Sequence, residues 1–463
     1  MNRLAASSTD LTPDPTPART ARFFAAESAR FLASHPQSRV LHAQAAPRFL
    51  FGVPMHWMAD APSPVPLFVD RAQGAHLWDA DGHELVDFCL GDTGAMFGHS
   101  PGPVARVLAE FGGDGATTML PSSVALDVAA LLEQRFGLPM WQFTATASDA
   151  NRFVLRWARA ITRRQHIVVF NGCYHGTVDD AFVDLAADGS THTRPSLLGQ
   201  VHDLAAFTRV VEFNDLPALE AALAKGDVAC VITEPVLTNI GMVLPEPGFM
   251  QGVAALARRH GTLLVLDETH TISCGPGGYT RAMGLQPDIL VLGKPMAGGT
   301  PGAAYGFSAE VGARMQQAKL AAAPGHSGIG TTLSAGLLSL RLMRAMLAEV
   351  MTDAAYARMF ATAQRVADGL EAVLAKRGLP WCVTRIGARC ECQFVPQRPR
   401  NGSEAHAAFR HALEAALQLA LLNRGVLLTP FHNMVLACPA HTAADADHLI
   451  AAFDDALEAL GTA

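Results

Sequence analysis

The sequence predicts an α/β protein built on a large, doubly wound and mainly parallel sheet, with a smaller α+β domain beside it. Between about residues 100 and 310, short apolar runs alternate with helical patterns. The clearest runs are HIVVF at 166–170, VACVITEP at 228–235, TLLVLDE at 262–268 and DILVLGK at 288–294. Parallel strands are joined by crossover helices and covered on both faces, so they appear in a sequence as continuous apolar runs.

The length of the chain predicts more than one domain, because 463 residues exceed what a single hydrophobic core usually organises. The tail is polar and rich in proline, and the strands that follow it alternate apolar and polar residues and turn at Asp81-Gly82. The predicted order is a disordered tail at 1–20, an N-terminal helix and antiparallel strands at 21–90, a large α/β domain at 91–335 and a small C-terminal α+β domain at 336–463.

Composition and charge favour a cytoplasmic protein that acts on small molecules. The formal net charge is −7, and no cluster of lysine and arginine marks a nucleic-acid or membrane surface. The N-terminus lacks the apolar core of a signal peptide, and no stretch reaches the roughly 18 apolar residues of a membrane helix. The eight cysteines form no CxxC pairs, so we expect reduced thiols.

Side chains with chemical potential follow three of the predicted strands. Glu234 ends the strand VACVIT, Asp267 ends TLLVL and Lys294 ends DILVLG. Ligands of open α/β sheets bind outside the carboxyl ends of the strands. We therefore expect these side chains at one edge of the sheet, where a carboxylate and a lysine on consecutive strands face the same ligand.

An aspartate and a lysine in this order suit pyridoxal phosphate. A carboxylate beside the ring nitrogen keeps that nitrogen protonated, and this role is predicted for Asp267. A lysine holds the aldehyde as a Schiff base and afterwards acts as a base, and this role is predicted for Lys294. Each residue alone has a simpler explanation, as a turn residue or a solvated lysine. Their order on consecutive strands is the more specific signal.

Longer motifs extend this pattern across residues 65–350. In chain order they are LWDADGHELVDF, GHSPGPV, FNGCYHGTVD, ITEPVLTNIGMVLPEPGFM, LLVLDETHT and PDILVLGKPMAGGTPGAAYGF. Together they resemble the class III, fold type I aminotransferases that depend on pyridoxal phosphate. Within that family they resemble the branch of glutamate-1-semialdehyde aminomutase and the β-amino-acid aminotransferases. The resemblance implies a fold type I enzyme with pyridoxal 5'-phosphate as its cofactor.

The resemblance also implies how the cofactor is held. Its phosphate would meet the backbone of Ala147 and the hydroxyl of Ser148 where a helix begins, and its ring would lie between Tyr174 and Thr269. In the turn FTATASDAN, residues 146–149 replace the family's usual Ser-Gly-Thr-Glu. An ordinary helix cap is the alternative explanation for that turn.

Further residues receive roles from the same resemblance. Glu234 would lie near the edge of the cofactor, His175 would lie beside the stacking tyrosine, and Glu268 would make a structural contact. Thr331 in GIGTTLSAG would reach the phosphate of the cofactor in the neighbouring subunit. A homodimer with shared active sites is therefore implied.

Substrate-binding residues are predicted at two places. Arg400 would bind a substrate carboxylate, although a loop arginine is more often simply solvated. His56 and Trp57, together with Met58, would form a bulky apolar wall. Such a wall suits a hydrophobic or aromatic amine or amino acid better than a small diacid.

The predicted function is the transfer of an amino group between an amine or amino acid and a keto acid or aldehyde. The predicted enzyme uses no metal and has no nucleic-acid or membrane partner. Two alternatives remain open: an aminomutase or racemase of the glutamate-1-semialdehyde aminomutase type, and a non-catalytic protein on the same fold. A nucleotide-binding oxidoreductase is disfavoured because no GxGxxG turn follows an early strand.

Overall fold

A computed structural model describes residues 14–463 of the chain. Most of the predicted tail at 1–20 lies outside the described residues. Its last four residues are helical instead, because helix α1 (Pro17–Ser34) begins at a proline and is capped by the side chain of Thr16. In this part of the chain, no helix is long and apolar enough to span a bilayer.

The first part of the chain forms two helices and three antiparallel strands. Strand β2 pairs with β1 on one side and with β3 on the other, and the turn between β2 and β3 contains Asp81-Gly82 as predicted. The elements are α1, α2 (Pro36–Ala45), β1 (Val69–Gln73), β2 (His76–Asp79) and β3 (Glu84–Asp87).

The middle of the chain alternates helices and strands, as the apolar runs predict. The four predicted runs form β5, β9, β10 and β11. The elements in order are α3 (Gly102–Glu110), α4 (Val124–Phe136), β4 (Met140–Thr144), α5 (Ala147–Thr162), β5 (His166–Phe170), β6 (Val183–Leu185), β7 (Thr191–Thr193), β8 (Thr208–Val211), α6 (Leu216–Leu223), β9 (Val228–Thr233), α7 (Phe249–Arg259), β10 (Leu263–Asp267), α8 (Gly278–Ala282), β11 (Ile289–Leu292), β12 (Ala303–Phe307), α9 (Ala309–Ala321) and α10 (Leu337–Ala345).

Seven of these strands form the large sheet, in the spatial order β4-β12-β11-β10-β9-β5-β8. The strand pairs β11-β10, β10-β9, β9-β5 and β5-β8 are parallel. Strand β12 is antiparallel to both of its neighbours, β11 and β4. The sheet is therefore mainly parallel. Alternate residues of its central strands enter two separate hydrophobic clusters: Leu264 and Leu266 of β10 pack on one face, and Leu263 and Val265 on the other. Burial on both faces explains the continuous apolar runs.

The last part of the chain adds a small antiparallel sheet, β13-β14-β16, and several helices. Its short strand β15 pairs in parallel with β3, so the first and last parts of the chain share one sheet. The predicted domain boundaries near residues 90 and 335 stay a prediction. The elements are α11 (Asp353–Arg377), β13 (Cys382–Ile386), β14 (Arg389–Gln393), α12 (Gly402–Ala408), α13 (His411–Leu422), β15 (Val426–Leu427), β16 (Met434–Leu436) and α14 (Ala443–Thr462).

The carboxylate of Asp81 ties helix α2 to the turn between β2 and β3. It accepts hydrogen bonds from the backbone N–H groups of Gln37 (2.6 Å) and Ser38 (2.9 Å) and from the Ser38 hydroxyl (2.7 Å). Two of the N–H groups that the start of a helix leaves without partners are satisfied in this way. Asp81 therefore caps α2 from a distant part of the chain.

We expect Asp81→Ala to lower the free energy of unfolding by about 1–2 kcal/mol, because two backbone N–H groups and a hydroxyl lose their acceptor. Chemical denaturation measures the difference. Asp70→Ala removes an exposed carboxylate from β1 and is the matched control, with an expected change below about 0.5 kcal/mol. Equal losses in the two variants would contradict the capping role.

Candidate active site

The candidate active site lies at the edge of the large sheet where the parallel strands end. Asp267 is the last residue of β10 and pairs in register with Val291 of β11. Lys294 follows the end of β11 after one intervening glycine, Gly293, and its φ of 50° lies in a region that side-chain-bearing residues rarely adopt. The two residues predicted to carry the chemistry therefore follow adjacent parallel strands.

The amine of Lys294 contacts two side chains from other loops. Its Nζ donates a hydrogen bond to Oδ2 of Asp92 at 2.6 Å and lies 2.9 Å from Nε2 of His270. The other ring nitrogen of His270 lies 3.2 Å from the hydroxyl of Thr93. The amine is thus held between a carboxylate and an imidazole, with 27% of the lysine side chain exposed.

The charges of this cluster alter the pKa values of its members. Burial disfavours the ionised form of Asp92, but the charge and the hydrogen bond of Lys294 outweigh burial and hold the pKa of that carboxyl below its usual range. Burial, reinforced by the charge of Lys294, holds the pKa of His270 well below its usual value. At neutral pH the lysine therefore lies beside an ionised carboxylate and a neutral imidazole.

Asp267 is surrounded by hydrogen-bond donors. Its Oδ2 accepts from Nδ2 of Asn151 at 2.8 Å and from Nδ1 of His175 at 3.0 Å. Its Oδ1 accepts from the backbone N–H of Thr269 at 3.1 Å and from the Thr269 hydroxyl at 2.6 Å. These donors fix the orientation of the carboxylate. The hydroxyl of Thr269, for which a cofactor contact is predicted, is engaged by Asp267.

His175 and Asp267 form a buried ion pair. Burial alone would lower the pKa of His175, but its hydrogen bond to Asp267 raises that pKa to about 10. The same pair lowers the pKa of Asp267 against the opposing effect of burial. Within residues 14–463, Nε2 of His175 and Oδ1 of Asn151 are buried and have no hydrogen-bond partner. Because buried polar atoms are normally hydrogen-bonded, these atoms leave capacity for a bound polar group.

Two glycines let neighbouring loops approach the start of α5 closely. A Cβ atom on Gly293 would lie 2.7 Å from the Cβ of Ala147, and a Cβ atom on Gly176 would lie 2.1 Å from Oγ of Ser148. The Ser148 hydroxyl also accepts a hydrogen bond from the backbone N–H of Thr177 at 3.0 Å. The loop that carries Lys294 and the start of α5 therefore form one narrow cradle that larger residues would fill.

The start of α5 suits a phosphate group. The positive end of the helix dipole and the N–H groups of the first turn favour an anion at this position. The hydroxyl of Thr146 accepts from the backbone N–H of Asp149 at 3.1 Å, so the turn is also an ordinary cap. The negative charge of Asp149 is offset by Arg152, which lies 2.6 Å away. The residues present fit the predicted cofactor phosphate.

Tyr174 and Glu234 border the same edge. Tyr174 is partly buried, its ring lies edge-on to that of Phe182, and burial together with the charge of Asp92 raises its pKa. Glu234 is buried after β9, and its Oε2 accepts from the Thr238 hydroxyl at 2.6 Å. Burial raises the pKa of Glu234 to about 7, and its Oε1 has no partner among the described residues. Both residues could contact a bound group.

Glu268 makes the structural contact that the resemblance implies. Its Oε2 accepts from the hydroxyl of Thr271 at 2.6 Å and from the backbone N–H of Tyr279 at 3.0 Å, and its Oε1 accepts from the N–H of Thr280. The carboxylate is buried, and burial raises its pKa. Glu268 therefore holds the loop after β10 together.

Thr331 lies at the surface and bonds within its own loop. Its backbone N–H donates to Oγ of Ser334 at 3.0 Å. Leu320 and Leu333, on the same stretch of chain, expose large apolar side chains. Exposed apolar clusters often mark protein interfaces. The predicted role of Thr331 in a neighbouring subunit therefore stays a prediction that this surface favours.

The predicted substrate wall does not contact the residues around Lys294. His56 and Trp57 are exposed, and the Trp57 ring lies 6.0 Å from that of Phe431. Met58 borders an apolar cavity of about 300 Å³. The residues that contact Lys294 do not line this cavity. Its other lining residues are Val53, Pro54, Ala61, Pro62, Ser63, Pro66, Leu67, Phe68, Val69, Gln418, Leu422, Leu427, Leu428 and Pro430.

Arg400 supports the alternative of a solvated loop arginine. Its guanidinium pairs with Glu246 at 2.6 Å, and 68% of its side chain is exposed. The hydrogen bond to Glu246 raises the pKa of Arg400. None of its contacts involves a residue around Lys294, so the predicted role in binding a substrate carboxylate is not supported within this chain. Its charge is already compensated.

Sequence reasoning missed five residues of the site: Asp92, Thr93, Asn151, His270 and Arg389, whose guanidinium donates a hydrogen bond to the Thr93 hydroxyl. Arg389 opens the strand RCECQ, in which polar residues alternate with cysteines, so the sequence carries no clear signal that this guanidinium is buried. Asp92 and Thr93 lie in the short segment GDTG, whose acidic residue resembles an ordinary turn. Their proximity to Lys294 arises only from folding, because 202 residues separate Asp92 from the lysine.

Comparison with known proteins places the chain among enzymes of one family. The profile described as aminotransferase class-III matches residues 57–459. The chain is 32% identical to a glutamate-1-semialdehyde 2,1-aminomutase of Anaeromyxobacter sp. (strain Fw109-5), over 84% of this chain and 90% of that protein. A solved structure described as a glutamate-1-semialdehyde-aminomutase from Pseudomonas aeruginosa PAO1 is 49% identical, with a TM-score of 0.94 over 96% of this chain and 100% of that chain. A β-phenylalanine aminotransferase from Variovorax paradoxus is 26% identical, with a TM-score of 0.83 over 96% and 98% of the two chains.

We expect the stabilisation from His175 to depend on pH in a defined direction. Its folded pKa of about 10 lies above the ordinary value of 6.5, so its contribution is complete below pH 6.5 and is lost as the pH rises towards 10. The stability difference between the natural protein and His175→Asn should therefore be largest at low pH, as measured by chemical denaturation at a series of pH values. His448→Asn, at an exposed position, is the control. A difference that stays constant from pH 6 to about pH 10 would contradict the ion pair.

Proposed function

The chain belongs to the class III aminotransferases, and on this premise we propose that it is a transaminase acting on an amine or amino acid and a carbonyl compound. Enzymes of this family depend on pyridoxal phosphate. The observation that carries the proposal is the amine of Lys294, held at the sheet edge one strand away from an ionised, fully oriented Asp267. A non-catalytic protein would have no need for either arrangement.

Pyridoxal phosphate supplies, when bound, an aldehyde that combines with amines and a ring that withdraws electrons from the substrate carbon. We propose that Lys294 holds the aldehyde carbon and that Asp267 faces the ring nitrogen. The cradle at Ala147 and Ser148 would receive the phosphate, and Tyr174 would cover the ring. The close approach at Gly293 and the unpartnered polar atoms beside Asp267 support this placement.

The residues around Asp267 keep it ionised. His175 carries a positive charge against one carboxylate oxygen, while Thr269 donates to the other. A carboxylate in this state favours a proton on any nitrogen that it faces. We therefore assign Asp267 the task of holding that proton, and we assign His175 and Asn151 the task of orienting Asp267.

Lys294 moves the proton during the reaction. Once freed by a substrate amine, its Nζ would take a proton from the substrate carbon and would pass that proton to the neighbouring carbon of the bound cofactor. Such a base must lose its own positive charge at working pH. The ionised Asp92 and the neutral His270, which both contact Nζ, therefore affect how readily Lys294 acts as a base.

A second candidate is an aminomutase, in which both halves of the reaction act on one molecule. It is favoured by the relatives described as glutamate-1-semialdehyde 2,1-aminomutase at 32% and 49% identity. A hydrophobic substrate stays a prediction for either candidate, because Trp57 and Met58 do not contact the residues around Lys294. Both candidates use the same residues for proton transfer.

We propose further that the enzyme is a cytoplasmic homodimer with shared active sites, and that neither nucleic acid nor membrane is a partner. The exposed apolar side chains of Met119, Leu120, Leu320 and Leu333 support a subunit interface. All eight cysteines are free, which supports a reducing compartment. The exposed Thr331 would then complete the site of the second subunit.

We expect Lys294→Ala to abolish turnover and to prevent covalent attachment of the cofactor, because no other amine replaces Nζ at the sheet edge. Borohydride reduction followed by peptide mass spectrometry measures the attachment. Lys319→Ala, on the exposed face of α9, is the matched control and should keep both properties. Attachment at a residue other than 294 would end this assignment.

Product analysis with one amino substrate and no carbonyl acceptor distinguishes the two candidate functions. We expect a transaminase to stop after about one product molecule per active site, because the amino group then stays on the enzyme. Adding a keto acid should restart turnover. Sustained conversion of glutamate-1-semialdehyde to its isomer without an acceptor would favour the aminomutase.

A further inference from the structure

Two charged side chains near Lys294, Asp92 and Arg389, have not been given a specific role in the function described above. Oδ2 of Asp92 accepts a hydrogen bond from Nζ at 2.6 Å. Its Oδ1 is buried, has no hydrogen-bond partner among the described residues and lies 3.8 Å from Nδ1 of His270. Arg389, on β14, is completely buried. They lie on opposite sides of Thr93, whose hydroxyl accepts a hydrogen bond from the Arg389 guanidinium.

The guanidinium of Arg389 has only neutral partners. Its Nε donates to Oγ of Ser273 at 2.9 Å, and Nη1 contacts the sulfur of Met434 at 2.6 Å. In the described part of the chain, no carboxylate oxygen lies within 4.0 Å of the Arg389 guanidinium nitrogens, the distance that defines an ion pair. Burial lowers the pKa of Arg389, and Asp92 is the carboxylate that most opposes this effect. A buried cation without a close counter-ion is costly, so this arrangement needs a reason.

The hydrogen bonds of His270 couple its tautomer to the charge of Lys294. Arginine only donates, so Thr93 accepts from Arg389 and keeps its own proton free for Nδ1 of His270, 3.2 Å away. The neutral ring then carries its hydrogen on Nε2, which faces Nζ at 2.9 Å and requires a lone pair there. An ammonium at Lys294 reverses both ring hydrogen bonds. These hydrogen bonds therefore change direction with the charge of Lys294 and accommodate either form of the amine, whereas the contact with Asp92 stabilises the ammonium.

The backbone holds these groups in unusual conformations. Asp92, Thr93 and Lys294 have φ values of 46°, 85° and 50°, in the left-handed region. For a β-branched residue such as Thr93 this conformation is a marked departure from the preferred one. Strain of this kind persists where surrounding contacts enforce it, and it concentrates at functional sites.

We propose that Asp92 is a further catalytic residue and Arg389 a positioning residue, which together hold the Lys294 nitrogen between opposing charges so that it can alternate between its protonated and neutral forms. The inference rests on the proposed function of Lys294. Asp92 alone would hold the nitrogen protonated. Arg389 acts through the field at Asp92 and through Thr93 and His270, and it offsets that effect. The only change at the Lys294 nitrogen is the gain of a proton from the substrate carbon and its later release.

Other titratable groups face this cluster from each neighbouring element. They are Cys89 from the loop after β3, Tyr174 from the loop after β5, Glu234 after β9, Asp267 at the end of β10, Cys274 after β10, Glu391 on β14 and His432 before β16. Compared with these groups, Asp92 lies closer to the Lys294 amine, because its Oδ2 accepts a hydrogen bond directly from Nζ. Its removal should therefore have the largest effect on the nitrogen.

The test is a pH titration of the visible absorbance of the cofactor-loaded protein, which reports the protonation of the nitrogen that joins Lys294 to the cofactor. We expect Asp92→Asn to move the midpoint down by about 1–3 pH units, because a negative charge in contact is lost. We expect Arg389→Met to move it up by about one unit, because a more distant positive charge is lost. A general disturbance of the fold would not produce shifts of opposite sign.

Two further variants serve as controls. Arg389→Lys keeps the positive charge and should leave the midpoint near that of the natural protein. Asp180→Asn removes a carboxylate that pairs with Arg159 away from the site, and it should leave the midpoint unchanged. If Arg389→Met does not fold, Arg389→Gln replaces it, and Asp92→Asn remains decisive.

An unchanged or raised midpoint in Asp92→Asn overturns the proposal, and so does a lowered midpoint in a folded Arg389→Met or Arg389→Gln. Failure of the proposed function is recognised separately. If borohydride reduction marks a residue other than Lys294, the assignment of the lysine fails. If it marks Lys294 while the midpoints do not move, only the roles of Asp92 and Arg389 fail.

Discussion

The parallel pairing of β9, β10 and β11 is the constraint on which the site depends. Because parallel strands end at the same edge, their register brings Glu234, Asp267 and Lys294 to one side of the sheet from positions far apart in the chain. Burial of the strands on both faces leaves little freedom for that register to change. The close approach at Gly293 then joins the lysine loop to the start of α5, so that covalent and phosphate-binding functions can share one cleft.

The site concentrates charge where water is scarce. His175 and Asp267 compensate each other directly, and Asp92 compensates Lys294. Among the described residues Arg389 has no carboxylate in contact, and its charge is offset at longer range, most of all by Asp92 and also by Glu234 and Glu391. In a medium of low polarity such charges interact strongly, and an unpaired one costs several kcal/mol. Because unpaired buried charge is costly, we relate the charges around Lys294 to its proposed chemistry rather than to stability.

Membership of the class III aminotransferases explains the proton transfer better than it explains the choice of substrate. A transaminase and an aminomutase need the same lysine, the same oriented aspartate and the same cradle, and they differ in whether the carbonyl product leaves before the amino group returns. That difference depends on substrate contacts and closure of the cleft. The residues that the sequence predicts to bind substrate include Trp57, Met58 and Arg400. None of them contacts Lys294 in this chain.

The sequence by itself determined the order of strands, the mainly parallel sheet and the pair of Asp267 and Lys294, because apolar runs and residues at strand ends are local properties. It also determined the family, through motifs spread over most of the chain. Only the tertiary structure revealed that His175 and Asn151 orient Asp267, that Arg400 pairs at the surface, and that Asp92 meets Lys294. These contacts join residues up to 202 positions apart, and no periodicity or local propensity encodes a contact over that separation.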